Sequence, residues 1–477
     1  MSHRVMTMDS SSRRTFLKIA ALAASSTAAR RLTALIAPEA GPLKAWRTAG
    51  QQRYAPIEAP VWRTGAATSA MSIHLDPDQH YQQVLGFGAA LTDASCYLLE
   101  QLDPGKRKAI LDESFGPSGL RLSVARTTIG SSDYSVSAYS YDDTDSPDPE
   151  LAHFSIDHDR KYILPLLKEA RQTNPELFYF SSPWSPPGWM KARNSLLGGS
   201  MRKHYFDAYA QYFVKFLQSY AVDGIKINAV TVQNEVDTDQ DGRMPQALWG
   251  QEYEMDFVKD HLGPALQKSS PDTKLWILDH NYSLWGRAAD ELSDPDVYKY
   301  VDGIAWHGYV GEPSAMTRVH DMFPTKNAYW TEGGPDISAP DYATDWAKWS
   351  STFAGILRNW ARCIVSWNLV LDEKGKPNIG PFTCGGVVTV NSQTHEVTRS
   401  GQFWAFAHYS KVIQRGAQVF ASSGDLKDID HVALQNPDGS HVLVLTNTGR
   451  EQTLQCTLRD QSLSVSLPPD SITTLVW

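Results

Sequence analysis

Between residues 84 and 368 the chain alternates short runs rich in β-branched and aromatic residues with longer amphipathic stretches. That alternation builds parallel sheets covered by helices. Eight runs fit a strand: Val84 to Gly88, Leu120 to Thr127, Phe178 to Ser182, Ala229 to Gln233, Lys274 to Asp279, Gly303 to His307, Ala328 to Thr331 and Cys363 to Trp367. Helical spacing marks Tyr162 to Thr173, Lys203 to Tyr220, Gln251 to Gln267 and Trp346 to Trp360 between them. Eight β/α units in about 290 residues predict a (β/α)8 TIM barrel, hence an α/β fold.

From about Gly416 the texture changes to alternating strands. His431 to Gln435, a turn at Asn436, Pro437, Asp438 and Gly439, then His441 to Thr446, Thr453 to Leu458 and Ile472 to Trp477 predict an all-β, sandwich-like side domain. Residues 57 to 80, with Ile73 and Leu75, are strand-like and are expected to join it. The expected organisation is a leader over 1–37, an N-terminal segment 38–80 partly joining the β-domain, a catalytic barrel 81–405 and a β-domain 406–477.

The leader reading rests on Ser12, Arg13, Arg14, Thr15, Phe16, Leu17 and Lys18, a twin-arginine pattern followed by an Ala-rich run from Ile19 to Ala29. It predicts export to the periplasm or beyond, with cleavage near Ala29 or Ala37. The run is too short to span a bilayer, and no integral membrane segment is expected after the leader is removed. The leader carries six basic residues against Asp9, so a formal charge of −9 for the whole chain leaves about −14 (−9 − 5) for the rest. Such a surface argues against nucleic acid as a partner. A hydrophobic share of 42% argues against disorder. The four Cys show neither CxxC nor zinc spacing, no HxH or HExxH occurs, and neither a metal nor a cofactor is expected.

Catalytic groups of a barrel lie at the C-terminal ends of its strands. Here these are Asp93, Arg126, Trp184, Asn234 with Glu235, Asp279 with His280, His307 with Tyr309, Glu332, and Trp367 with Asn368. Two carboxylates across one barrel mouth are what glycoside hydrolysis requires, and the fourth and seventh strands supply Glu235 and Glu332. Asn234 is placed to bond a sugar 2-hydroxyl, while Gly333 and Gly334 allow a ligand close to the backbone. Arg126 either keeps Glu332 ionised or forms an ordinary ion pair. Trp184, Trp189, Trp306 and Trp367 are core aromatics or stacking platforms for sugar rings. Asp93 either bonds sugar or caps the helix after it, and His307 either touches substrate or is a satisfied core histidine.

At these residues the sequence resembles glycoside hydrolase family 30, the glucosylceramidase (acid β-glucosidase) type above all. The segments are GFGAALTDAS (86–95), ARTTIGSSDYS (125–135), FSSPWSPPGWMK (180–191), TVQNEVD (231–237), DFVKDHLGPAL (256–266), IAWHGY (304–309), WTEGG (330–334) and SWNLVLDEKGKPN (366–378). The resemblance implies hydrolysis with retention, Glu235 as acid/base and Glu332 as nucleophile. It places Asp93, Trp184, Asn234, Tyr309, Trp367 and Asn378 at sugar-contacting or pocket-shaping positions. Val236, Gly333 with Gly334, and Gly308 depart from the family pattern. The implied substrate is a β-linked glucoside, glycolipid or oligosaccharide such as glucosylceramide. The alternatives are an endo-β-1,6-glucanase, a xylosidase or fucosidase of the same family, and a catalytically silent carbohydrate-binding protein, which would have little use for both carboxylates.

Overall fold

The computed structural model describes residues 42–65, 69 and 71–477. The expected leader lies outside the described residues. All eight predicted runs become strands of one closed barrel. They are β1 Gly86–Ala90, β2 Val124–Ile129, β3 Phe178–Pro183, β4 Ala229–Thr231, β5 Lys274–Asn281, β6 Val301–His307, β7 Asn327–Glu332 and β8 Ala361–Ser366. Each pairs in parallel with its sequence neighbour, and β8 closes on β1 with Cys363 beside Gly86. No helix among the described residues is long and apolar enough to cross a membrane.

The helices follow their apolar periodicity. Ile163–Thr173 buries Ile163, Leu164, Leu166, Leu167 and Ala170, one face of a helix of 3.6 residues per turn. The helix expected over 251–267 is broken into Gln251–Asp256, a π-helical turn Phe257–Leu262 and Gly263–Ser269. Pro264 has no N–H for the ladder, and the turn before it widens.

Inside the barrel the period of two sorts side chains into layers. Val124, Phe180, Ala229, Trp276, Ala305, Tyr329, Cys363 and Val365 form a dry plug, with the rings of Trp276 and Tyr329 stacked 4.0 Å apart. Two residues further along each strand, towards the C-terminal mouth, come Arg126, Ser182, Thr231, His307, Thr331 and Trp367. The apolar layer therefore forms the floor of a polar one. β5 departs from this count. Leu278 and Asp279 both take left-handed backbone angles (φ 71° and 43°), and the pairing with β6 slips between Ala305 and Trp306. This bulge turns Leu278 outward into the helix layer and Asp279 inward.

The second layer is a ten-stranded sheet that includes Gln418–Ser423, Ile429–Gln435, His441–Asn447, Gln452–Leu458 and Ser471–Val476. A strand from the N-terminal segment joins it, Ser72–Gln83. So do Lys44–Ala49, paired with Ser471–Val476, and Gln52–Ile57, where the sequence signal is weak. Gln461–Leu467 is a further strand, with Leu463, Val465 and Leu467 buried between serines. The expected domain boundary between 405 and 406 falls inside a helix, Gly401–Ser410. This helix follows β8 and lies between barrel and sheet, where the buried imidazole of His408 bridges Thr474 and Thr48 at 2.8 Å each. Its apolar residues serve two layers at once, which is why the texture changes only near Gly416.

Candidate active site

Asp279 is the hub of the polar layer. Its Oδ2 accepts from Arg126 Nη2 (2.8 Å), Ser182 Oγ (2.7 Å) and Thr231 Oγ1 (2.8 Å). Its Oδ1 accepts from Thr331 Oγ1 (2.7 Å) and faces His307 Nε2 at 3.0 Å. Five strands thus converge on one carboxylate. Burial pushes this carboxyl up, but Arg126, His307 and Ser182 outweigh burial and hold it below the usual carboxylate range. The fully buried Arg126 guanidinium also donates to Glu332 Oε2 through Nη1, to Asn234 Oδ1 at 2.8 Å and to Ser182 Oγ at 3.2 Å. Arg126 is thus an ion-pair partner of Glu332 as well as of Asp279. Tyr309 donates its hydroxyl to the other Glu332 oxygen at 3.0 Å. Glu332 is therefore an oriented carboxylate with a hydrogen bond to each oxygen.

Glu235 lies four residues beyond β4 on a turn, itself in the left-handed region with φ 53°. Gln240 Nε2 donates to its Oε2 at 3.0 Å, and His307 Nδ1 and His280 Nδ1 lie 3.5 and 3.6 Å from its Oε1. His280 is oriented from behind by Asp237, 2.6 Å from its Nε2. The strand-end histidines, isolated in sequence, thus meet at one carboxylate. Burial pushes the Glu235 carboxyl up, yet His307, His280 and Gln240 together hold it below its ordinary value. Burial likewise pushes His307 down, but Glu332, Asp279 and Glu235 outweigh it and raise the imidazole from 6.5 to about 9. The surroundings of His307 thus favour the imidazolium, with Nδ1 3.5 Å from Glu235 and Nε2 3.7 Å from Glu332. It is neither a plain core histidine nor at the cavity wall.

The two glutamates open on one cavity of about 430 Å³, whose wall also includes Asn234, Tyr309, Trp184, Trp367, Asp133 and Phe382. Trp184 and Trp367 stack on each other with centroids 5.0 Å apart, and the Arg126 guanidinium lies 4.8 Å from the first ring. Trp189 and Trp306 line no part of this cavity. Trp189 donates to Asp142 O at 3.1 Å, and Trp306 is buried in the helix-packed core. Gly333 and Gly334 are required by the protein itself rather than by a ligand. A Cβ at Gly333 would lie 2.3 Å from the Trp330 ring, and one at Gly334 would lie 1.9 Å from Trp367 O.

Two expected sugar contacts, Asp93 and Asn378, are not among the residues that line this cavity. The Asp93 carboxylate accepts from Val136 N (2.7 Å) and Tyr162 Oη (2.5 Å) and meets His158 Nε2 at 3.0 Å. It occupies the first turn of helix Asp93–Glu100, whose cap is Thr92, and it ties that helix to the loop after β2. Asn378 closes a turn, accepting from Gly380 N (2.6 Å) and donating to Phe382 O (2.5 Å), and thereby sets the loop that carries Phe382 to the cavity. The aspartate that does line the cavity is Asp133, in the loop beyond β2. Burial, with Glu332 and Glu235 nearby, holds its carboxyl well above the usual range. Asp133 lies past the strand end, where the strand-end rule does not point.

The barrel region matches the model of the glycosyl hydrolase family 30 TIM-barrel domain over residues 84–413, and residues 416–475 match the family's β-sandwich domain. The chain is 33% identical to the endo-1,6-β-D-glucanase of Neurospora crassa over 426 residues, covering 83% of this chain and 86% of that protein. It is 32% identical to mouse lysosomal acid glucosylceramidase over 440 residues, covering 87% and 84%. Among solved structures, the endo-β1,6-glucanase BT3312 superposes with a TM-score of 0.82 at 29% identity, covering 91% of this chain and 99% of that one. SrfJ from Salmonella typhimurium superposes with 0.87 at 25% identity, with the same coverage. With both domains matched and Glu235 and Glu332 facing one cavity, the chain belongs to glycoside hydrolase family 30.

Proposed function

We propose that the chain is a retaining β-glucosidase that cleaves β-1,6-linked glucan. The observation that carries this reading is that Glu235 and Glu332 line the same cavity and approach opposite nitrogens of one imidazolium. Glu332, oriented by Arg126 and Tyr309, is the nucleophile that attacks the anomeric carbon. Glu235 is the acid/base. Its proton is shared with His307, which carries it in the resting site and stands beside Glu235 Oε1. When Glu332 becomes an ester its charge disappears, His307 loses an attractive neighbour, and Glu235 serves as base for the incoming water. Asn234 Oδ1 is taken by Arg126, which leaves its amide N–H free to meet the sugar 2-hydroxyl.

The linkage preference is supported by the relatives and the solved structure named for endo-1,6-β-glucanase activity. The second reading, a glucosylceramide, is favoured by the apolar rim. Phe382 and Tyr309, at the cavity, and Val310 beside them are 42, 46 and 55% exposed. Incubating the protein with β-1,6-glucan, glucosylceramide and aryl β-glucoside, β-xyloside and β-fucoside separates the readings. Release of β-configured gluco-oligosaccharide from the glucan alone supports the first. Cleavage of the lipid alone replaces it with the second. No hydrolysis of any of them leaves the silent binding protein. Export by the twin-arginine route is proposed on Arg13 and Arg14. Replacing both by Lys is expected to retain precursor in the cytoplasm, and unchanged export contradicts it.

A further inference from the structure

The backbone that carries Glu235 is held by a carboxamide from further along the chain. Gln246 is fully buried, and its Nε2 donates to Asn234 O at 2.6 Å and to Glu235 O at 2.9 Å. Successive carbonyls of an extended strand point to opposite edges, so no single donor reaches both. Here they converge because Glu235 sits in the left-handed region, and the two N–H bonds of one amide fit that turn and not the extended alternative. The Glu235 N–H is fixed on the other side by Asp279 O at 3.0 Å.

Gln246 is itself pinned. Its N–H donates to Leu196 O at 3.2 Å, and its carbonyl accepts from Lys191 Nζ at 2.7 Å. That side-chain nitrogen is buried among three oxygens, the others being Ser185 Oγ and Leu196 O at 2.9 Å each. Lys191 and Gln246 therefore tie the loop after β3 to the loop after β4. Gln246 Oε1 is buried with no hydrogen-bond partner among the described residues. A side chain serving only to satisfy the interior would not leave its own acceptor unmet while spending both donors on the flanks of one residue.

Resting on the reading of Glu235 as acid/base, we propose that Gln246 is a positioning residue for it. Its carboxamide fixes the left-handed turn that aims the Glu235 carboxyl at the leaving oxygen. Without it the turn relaxes towards extended backbone and the carboxyl swings off line. Glu332 hangs on β7 and on Arg126, and the Asn234 carboxamide is held separately by Arg126 at 2.8 Å, so attack on the anomeric carbon depends on this clamp far less than proton donation does.

The test is the dependence of glycosylation rate on the leaving group. Gln246→Met keeps the length and loses both donors. Against aryl and alkyl β-glucosides, it is expected to lose at most about twofold with 2,4-dinitrophenol, which departs without a proton, and on the order of a hundredfold with an alcohol. A fluorosugar that esterifies Glu332 without acid help counts the competent sites, so a partly unfolded preparation is corrected for. Gln246→Glu, which presents oxygen to the same carbonyls, serves as the second variant should the first fail to fold. A loss equal for every leaving group, or no loss at all, overturns the proposal. Glu235→Gln run in parallel distinguishes the two failures: if it too shows no leaving-group dependence, the assignment of Glu235 is at fault and not the clamp.

Discussion

The imidazolium of His307 makes a stability prediction with a definite sign. Its pKa is 6.5 as an ordinary histidine and about 9 in the folded site, because Glu332, Asp279 and Glu235 surround it. A folded pKa above the unfolded one means that folding binds a proton. The stabilisation is complete below about pH 6.5, declines as the pH rises, and is gone above about 9. The gap between the two values, at about 1.4 kcal/mol per pH unit, corresponds to about 3 kcal/mol. Urea denaturation of the protein and of His307→Gln from about pH 6 to about pH 10 reads it directly. Taking the difference between the two proteins cancels the titrating groups that His307 does not touch. That difference is expected to shrink by about 3 kcal/mol across the range, with most of the change between about pH 7 and 9. Two stability curves that stay parallel throughout would refute the reasoning, since His307 would then be neutral or equally charged in both states.

Arg126→Met leaves Asp279 and Glu332 buried without their cation, and is expected to lower stability by about 3 to 5 kcal/mol in the same denaturation assay; a loss below about 1 kcal/mol contradicts the hub described above. Gly334→Ala forces the Trp367 peptide aside and is expected to cost about 2 kcal/mol and raise KM, whereas Gly286→Ala, with no atom within 4 Å of its new methyl, serves as a control that does neither. Asn234→Ala is expected to lower kcat more than it raises KM, because its bond to the 2-hydroxyl strengthens as the oxocarbenium ion forms, and a 2-deoxy substrate is expected to be insensitive to the change.

Much of this site is legible in the chain because a barrel strand obeys a period of two. Arg126, Thr231 and His307 follow Val124, Ala229 and Ala305 by two residues, so the polar mouth stands above an apolar floor wherever the strand is regular. The count fails on β5, where the bulge at Leu278 and Asp279 exchanges which residue faces inward, and nothing in the local sequence announces it. The strand-end rule points to Asp93, just past the first strand, and not to Asp133, which lies further into the loop after β2. What separates them is tertiary: His158 and Tyr162, from a helical region far along the chain, capture Asp93 and leave Asp133 facing the cavity. Gln246 lies outside every segment quoted above and Lys191 only closes one of them, because the role of each is read from which carbonyls it reaches.

The central claim is that Glu332 attacks and Glu235 exchanges the proton, and azide rescue of the two alanine variants tests it most directly. Glu235→Ala can still be glycosylated by an aryl glucoside with a good leaving group, then stalls for want of a base. Azide, which needs no deprotonation, should restore turnover and give the β-glucosyl azide, the product of two inversions. Glu332→Ala lacks the nucleophile, so azide can act only by direct attack and should give the α-azide. The α-product from Glu235→Ala with the β-product from Glu332→Ala would reverse the two roles, and full activity in either variant without azide would contradict the two-carboxylate account altogether.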